Sequence, residues 1–119
     1  MLYLVPMGFF SSTPSVTAAE AAQKVSEAGT ALVDVRSPDE FRDGHARAAC
    51  NCPLPVLNDC VDKLKKYSEV YLMCQSGGRS SVATLALRAA GINAINVSGG
   101  ILAWRAQGLP VDGASANKA

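Results

Sequence analysis

The sequence predicts an α/β fold: an open, mostly parallel sheet of about five strands with helices on both faces. Short uncharged runs rich in β-favouring residues, such as Val70, Tyr71, Leu72 and Met73, read as strands buried on both faces. Segments of helical spacing alternate with these runs, the order that right-handed crossovers between parallel strands require. No internal repeat is present.

At 119 residues the chain is expected to form one domain at residues 15–111. Residues 1–14 are expected as an extension and 112–119 as a frayed polar tail. Lys and Arg total 11 against 10 for Asp and Glu, so no global field draws the chain to nucleic acid or to an anionic membrane. The four cysteines, Cys50, Cys52, Cys60 and Cys74, do not match the paired spacing of a structural zinc site, and no metal is expected. A disulfide framework is not expected either, so the thiols should be reduced, in a cytoplasmic protein. Residues 1–10 are apolar but lack a basic start and are broken by Pro6 and Gly8. An added strand or a docked tail is expected there, with an export or organelle signal as the minority alternative.

Residues 17–28 are alanine-rich, with Thr17 and Glu20 as a capping box and Gly29 closing the helix. Residues 31–35 form a strand that carries Asp34 towards its carboxyl end, where open α/β sheets bind ligands. Asp34 and Arg36 are expected near the mouth of the site, most simply as a salt bridge fixing the loop. Ser37 as cap, Pro38 and two acids start a short helix at 37–42, with Phe41 towards the core. His45 is the only histidine, so a Cys-His pair would have to use it; a hydrogen-bonded structural role is preferred. Residues 48–55 suggest a short strand with Cys50 and Cys52 on one face as core fillers. Leu57, Cys60, Val61 and Leu64 predict a helix over 56–66, with Lys63, Lys65 and Lys66 as a solvated cluster. After the central loop come a helix at 82–90, a strand at 94–97, a turn at Ser98, Gly99 and Gly100, and a short helix carrying Trp104 into the core.

The centre of the chain is the stretch 70–80, VYLMCQSGGRS. Cys74 ends a strand, and Gln75, Ser76, Gly77, Gly78, Arg79 and Ser80 are too polar and flexible to continue it. The unpartnered amides at the start of the next helix, with its macrodipole, make an anion site. A cysteine held there is more acidic than its reference value of about 8.5. Gly77 and Gly78 let the backbone close around an anion, and Arg79 adds a positive charge. Cys74 therefore reads as a nucleophile, a buried structural cysteine being the alternative.

Dispersed motifs agree with one pattern: Asp34, Val35 and Arg36 with Glu40 and Phe41; Gly44 and His45; Asn51 and Pro53; CQSGGRS; and Ser98, Gly99, Gly100 and Ile101 with Trp104, Gly108, Leu109 and Pro110. Together these resemble the single-domain rhodaneses, over residues 16–111. The resemblance implies a rhodanese-like sheet and a sulfurtransferase in which Cys74 carries a persulfide, Gln75 to Ser80 surround the sulfur, and Arg79 binds the anionic donor or supports the loop. It implies no cofactor beyond the covalent persulfide. The expected partners are a small anionic sulfur donor such as thiosulfate and a thiophilic acceptor such as cyanide, a thiol, thioredoxin or a sulfur-carrier protein. The expected state is a monomer.

The usual GHIxGAxNIP stands here as GHARAACNCP, with Ala46, Ala48 and Cys52 in place of isoleucine, glycine and isoleucine. Neutral Gln75 and Ser76 replace the basic residues frequent in thiosulfate enzymes, so thiosulfate could be a surrogate donor. Cell-cycle dual-specificity phosphatases resemble the same fold with five residues between cysteine and arginine. Only four separate Cys74 from Arg79, which ranks phosphatase or arsenate reductase activity below sulfur transfer. A sulfur-carrier or regulatory module without turnover is the alternative from another class, and a third possibility makes Cys50 or Cys52 a thiol that resolves the Cys74 persulfide.

Overall fold

Successive strand side chains point to opposite faces of a single sheet and sort the interior into two layers, one on each side. The computed structural model describes residues 13–114; most of the expected N-terminal extension, with its strand or signal, lies outside them. Strands β1 (Ser15–Val16), β2 (Thr30–Asp34), β4 (Ala49–Asn51), β5 (Glu69–Met73) and β6 (Ala94–Val97) make a five-stranded sheet in the order β1-β6-β5-β2-β4. Every pairing in it is parallel. β3 (His45–Ala46) and β7 (Val111–Asp112) pair antiparallel beside it.

Val33, Val70, Leu72 and Cys74 point to one face, where they meet Leu57, Leu64, Ala83 and Leu87. Leu32, Tyr71 and Met73 point to the other, against Ala18, Ala21, Ile101 and Trp104. This is the period of two that a doubly covered strand imposes. The first layer is supplied by a 3₁₀ segment (Leu54–Cys60), α3 (Val61–Leu64) and α4 (Gly78–Ala89), the second by α1 (Ala18–Lys24) and α5 (Gly100–Ala106). Each fully buried aliphatic side chain contributes about 1.5–3 kcal/mol to holding a layer on the sheet.

The expected α/β architecture is present, with local corrections. Helix α1 keeps its Thr17–Glu20 capping box but stops at Lys24. Beyond its end the Lys24 carbonyl accepts from the Glu27 N–H, and the Thr30 hydroxyl reaches the Lys24 and Glu27 carbonyls. α2 (Pro38–Asp43) starts at the Ser37 cap as expected. The single helix expected over 56–66 is a 3₁₀ segment followed by one turn of α-helix, because the backbone kinks at Val56 next to Pro55. Residue 112 belongs to β7, not to a tail, and Ala114 N–H still donates to the Arg42 carbonyl.

The cysteine expectation also changes. Cys52 and Cys60 form a disulfide, with Cα atoms 6.8 Å apart, because the kinked segment folds back under the end of β4. Cys50 and Cys74 are free, and Cys50 is exposed rather than a core filler. Reduced thiols therefore no longer support a cytoplasmic location. No helix among the described residues is long and apolar enough to cross a membrane.

Ala48 turns the chain from β3 into β4 with a φ of +84°, the only positive φ at a non-glycine among the described residues. An L side chain in this region costs about 1–2 kcal/mol. Glycine relieves that cost but adds about 0.5–1 kcal/mol of unfolded-chain freedom. Ala48→Gly should therefore stabilise the fold by roughly 0.5–1 kcal/mol and raise Tm by a few degrees; urea and thermal denaturation measure this, and a fall in stability would contradict the account.

Candidate active site

From Val70 on, β5 runs buried into Cys74, and the backbone then reverses onto α4 within three residues. The reversal depends on Gly77, whose φ of +119° is a conformation that side-chain-bearing residues resist. Because of it, α4 begins at Gly78 and not after Ser80, so Arg79 and Ser80 lie in the first helical turn instead of in a loop. The Gly77 N–H donates to Cys74 Sγ at 3.1 Å, and Ser80 Oγ lies 3.3 Å from the same sulfur.

Ser80 is itself held. Its hydroxyl donates to Asn96 Oδ1 at 2.6 Å, and Asn96 Nδ2 donates to Ser81 Oγ at 3.2 Å. With one proton, the Ser80 hydroxyl serves Asn96 while Cys74 is a thiol and has the sulfur within reach once it ionises. Burial pushes the Cys74 thiol pKa up, but the Ser80 hydroxyl and the amides of Ser80, Gly77 and Ser76 outweigh that effect and lower it overall. Cys74 is only 1% exposed, so these donors face the sulfur with little competition from water. Beside the loop runs a groove of about 580 Å³, with Ser76, Gly77, Ser81, Asn96 and Gly99 among its walls.

The outer side of the loop is fixed by α5. Ile101 N–H donates to the Cys74 carbonyl at 2.9 Å and Leu102 N–H to the Gln75 carbonyl at 3.2 Å. Gly100 makes this approach possible: a Cβ there would overlap the carbonyl oxygens of both Cys74 and Gln75. Sequence reasoning took 98–100 only as a turn and did not single out Asn96. The signal for Asn96 was a polar residue inside the otherwise apolar run AINV.

Arg79 lies in the first turn of α4 and is paired. Its guanidinium binds Glu40 of α2 through two bonds of 2.8 and 3.0 Å. Arg79 holds the Glu40 carboxyl down to about 2. Asp34 and Arg36 form a buried pair at 2.8 Å, and Arg36 also donates to the Gly44 carbonyl at 2.6 Å. Asn51 closes the same turn by donating to the carbonyls of Asp34 and Arg36. His45 stands on β3, where Nδ1 bonds the Phe41 carbonyl at 2.6 Å and the ring stacks on Phe41 with centroids 3.7 Å apart. Phe41 is thus half-buried against His45 and outside both core layers. Of residues 75–80, Ser76, Gly77 and Ser80 therefore face the Cys74 sulfur, Arg79 is bonded to Glu40, and Asp34, Arg36 and His45 are engaged in the neighbouring turns.

A family model described as a rhodanese-like domain matches residues 17–107. The chain belongs to the rhodanese-like domain family. It is 34% identical over 115 residues to thiosulfate sulfurtransferase 16, chloroplastic, of Arabidopsis thaliana, covering 84% of this chain and 94% of that protein. It is 32% identical over 112 residues to rhodanese-like domain-containing protein 15, chloroplastic, of the same plant, covering 83% of this chain but only 62% of the relative's length. A crystal structure of a rhodanese-related protein from Thermoplasma volcanium superposes with a TM-score of 0.75 at 29% identity, covering 83% of this chain and 97% of that one.

The depressed pKa of Cys74 fixes the direction of its pH dependence. Alkylation of Cys74 in the folded chain should rise with pH through a midpoint below that of an ordinary thiol, and Ser80→Ala should move the midpoint up. Because the unfolded chain binds the thiol proton more tightly, stability relative to Cys74→Ser should grow with pH between the folded and unfolded values. It is fully gained above the unfolded value and lost as pH falls through the folded one. Iodoacetamide kinetics and denaturation across that window measure both; an unmoved midpoint in Ser80→Ala would remove the hydroxyl from this role.

Proposed function

We propose that this rhodanese-family chain is a sulfurtransferase that moves a sulfane sulfur from a small anionic donor to a thiophilic acceptor through a persulfide on Cys74. The observation carrying this reading is the low-pKa sulfur at the end of β5, faced by the Gly77 amide and the Ser80 hydroxyl. With thiosulfate as donor, the Cys74 thiolate attacks the outer sulfur, a new S–S bond forms, and sulfite leaves with the electrons of the broken S–S bond. The persulfide so formed is anionic, with its charge on the outer sulfur beyond Sγ, and the amides of the loop at 75–80 are the nearest donors for it. An acceptor such as cyanide then attacks the terminal sulfur, and Cys74 departs as the thiolate, which closes the cycle without a metal or other cofactor.

The name of the Arabidopsis relative, which the chain spans almost in full, supports sulfur transfer as the reaction class. Low-molecular-weight thiols, thioredoxin or a sulfur-carrier protein fit the acceptor role, and a monomer suffices because one chain supplies every residue invoked. Mass spectrometry after incubation with thiosulfate should show a gain of about one sulfur mass on the chain and none on Cys74→Ser. Equal labelling of the mutant would move the nucleophile elsewhere. A persulfide that survives cyanide would mark a carrier without turnover.

Arg79 is the candidate donor-binding cation, although Glu40 neutralises part of its charge at rest. An ion pair this exposed contributes no more than about 1 kcal/mol to folding. Arg79→Ala should therefore leave the denaturation midpoint nearly unchanged while raising KM for thiosulfate severalfold. Parallel loss of stability and activity would instead make Arg79 a structural residue.

A further inference from the structure

The disulfide and the second free thiol lie away from the Cys74 loop, yet they share one cavity. Cys50, Cys52 and Cys60 all line a space of about 230 Å³, together with Asn51, Lys63 and Tyr67 above a floor of Val33 and Leu64. Cys52 is buried at 3% exposure, whereas Cys60 is partly exposed and Cys50 exposed. Of the two bridged residues, Cys60 is the more exposed to solvent. A thiolate entering there meets Lys63, whose charge favours an anionic thiol. The bridge's covering segment is light: a 3₁₀ stretch kinked at Val56 and a single four-residue helix, neither with a side-chain cap. Elements this short open locally at low cost.

We propose that Cys50, Cys52 and Cys60 form a thiol–disulfide exchange site, separate from Cys74, that takes a low-molecular-weight anionic thiol at Cys60. The incoming thiolate attacks Cys60 Sγ; its S–S bond to Cys60 forms as the Cys52–Cys60 bond breaks, and the electron pair leaves on Cys52 Sγ, which takes up a proton. The mixed disulfide has two fates. A second molecule of the same thiol attacks the thiol-derived sulfur, releases a small disulfide and leaves Cys60 reduced, so that two electrons have passed from two thiols to the protein. Alternatively a neighbouring cysteine expels the bound thiol: Cys52 restores the original bridge, and Cys50, on the same cavity, makes a Cys50–Cys60 bridge instead. Cys52, Leu57 and Leu64 belong to the same core layer as Cys74, Ala83 and Leu87.

The test uses the full chain carrying Cys74→Ser, which removes persulfide chemistry, so its outcome is independent of the function proposed above. The folded protein is equilibrated with glutathione in reduced and oxidised form, acid-quenched, alkylated and mapped by mass spectrometry. Reduced glutathione should open the bridge without denaturant, with glutathione trapped on Cys60. In added Cys52→Ser, oxidised glutathione should yield a Cys50–Cys60 bridge or glutathionylated Cys60. In added Cys60→Ser, Cys52 should react roughly tenfold more slowly, because it is buried. A bridge that opens only at the rate of global unfolding would overturn the proposal and make it a passive staple. Glutathione found only on Cys50, or equal reactivity of Cys52 and Cys60 in the two variants, would overturn it as well. The first measurement leaves the cysteine cluster intact, so it stands even if a cluster variant fails to fold.

Discussion

An ionised sulfur buried at the end of a strand must be met by hydrogen-bond donors, and most of this fold's local geometry follows from that requirement. Leaving water costs an unpaired charge several kilocalories per mole, so without donors burial alone would push the Cys74 pKa up. β5 brings the sulfur into the interior, and the left-handed Gly77 turns the chain so that amides face it. Asn96 then holds the Ser80 hydroxyl beside the sulfur. The two carbonyls that would repel an anion, those of Cys74 and Gln75, are occupied on the far side by the first amides of α5. The loop thus shows its donors to the sulfur and its acceptors to a helix.

Two ion pairs near the site differ in what they do. Asp34 and Arg36 are removed from water, Arg36 also donates to the Gly44 carbonyl, and Asn51 donates to the carbonyls of both residues. Breaking a pair so buried costs about 3–5 kcal/mol, which makes it a fixed part of the scaffold at the strand next to β5. The Arg79–Glu40 pair is exposed, costs little to open and lies beside the loop. Rigidity belongs to the first pair and adaptability to the second.

Much of this was legible in the sequence because it is local. The Thr17 and Ser37 caps, the apolar runs at 70–73 and 94–97, and the glycine pair after Cys74 each act over a few residues, and the structure keeps all of them. What escaped depends on chain segments meeting at a distance. Cys52 and Cys60 pair because a proline-bounded stretch kinks under β4, which helical spacing over 56–66 does not reveal. Glu40 reads as a first-turn acid until α2 is placed opposite Arg79, 39 residues away. Gly100 reads as a turn residue until the close approach of the Cys74 carbonyl shows why no side chain fits. Ala48 was noted only as a replaced glycine; its φ of +84° shows what the glycine had been for.

The sheet order has a consequence for how the chain comes to life. β6 sits between β1 and β5, and it carries Asn96 and leads directly into Gly100 and Ile101. As the polypeptide emerges from the ribosome, Cys74 and its glycines appear before the segment that completes their surroundings. Until β6 slots between two strands already made, the Ser80 hydroxyl lacks its anchor and the loop carbonyls lack their amides. A long-range pairing of this kind is among the slower steps of folding. A nascent or partly folded chain therefore holds Cys74 without the Asn96 anchor on Ser80, and the full set of donors around the sulfur is assembled only with the last strand of the sheet.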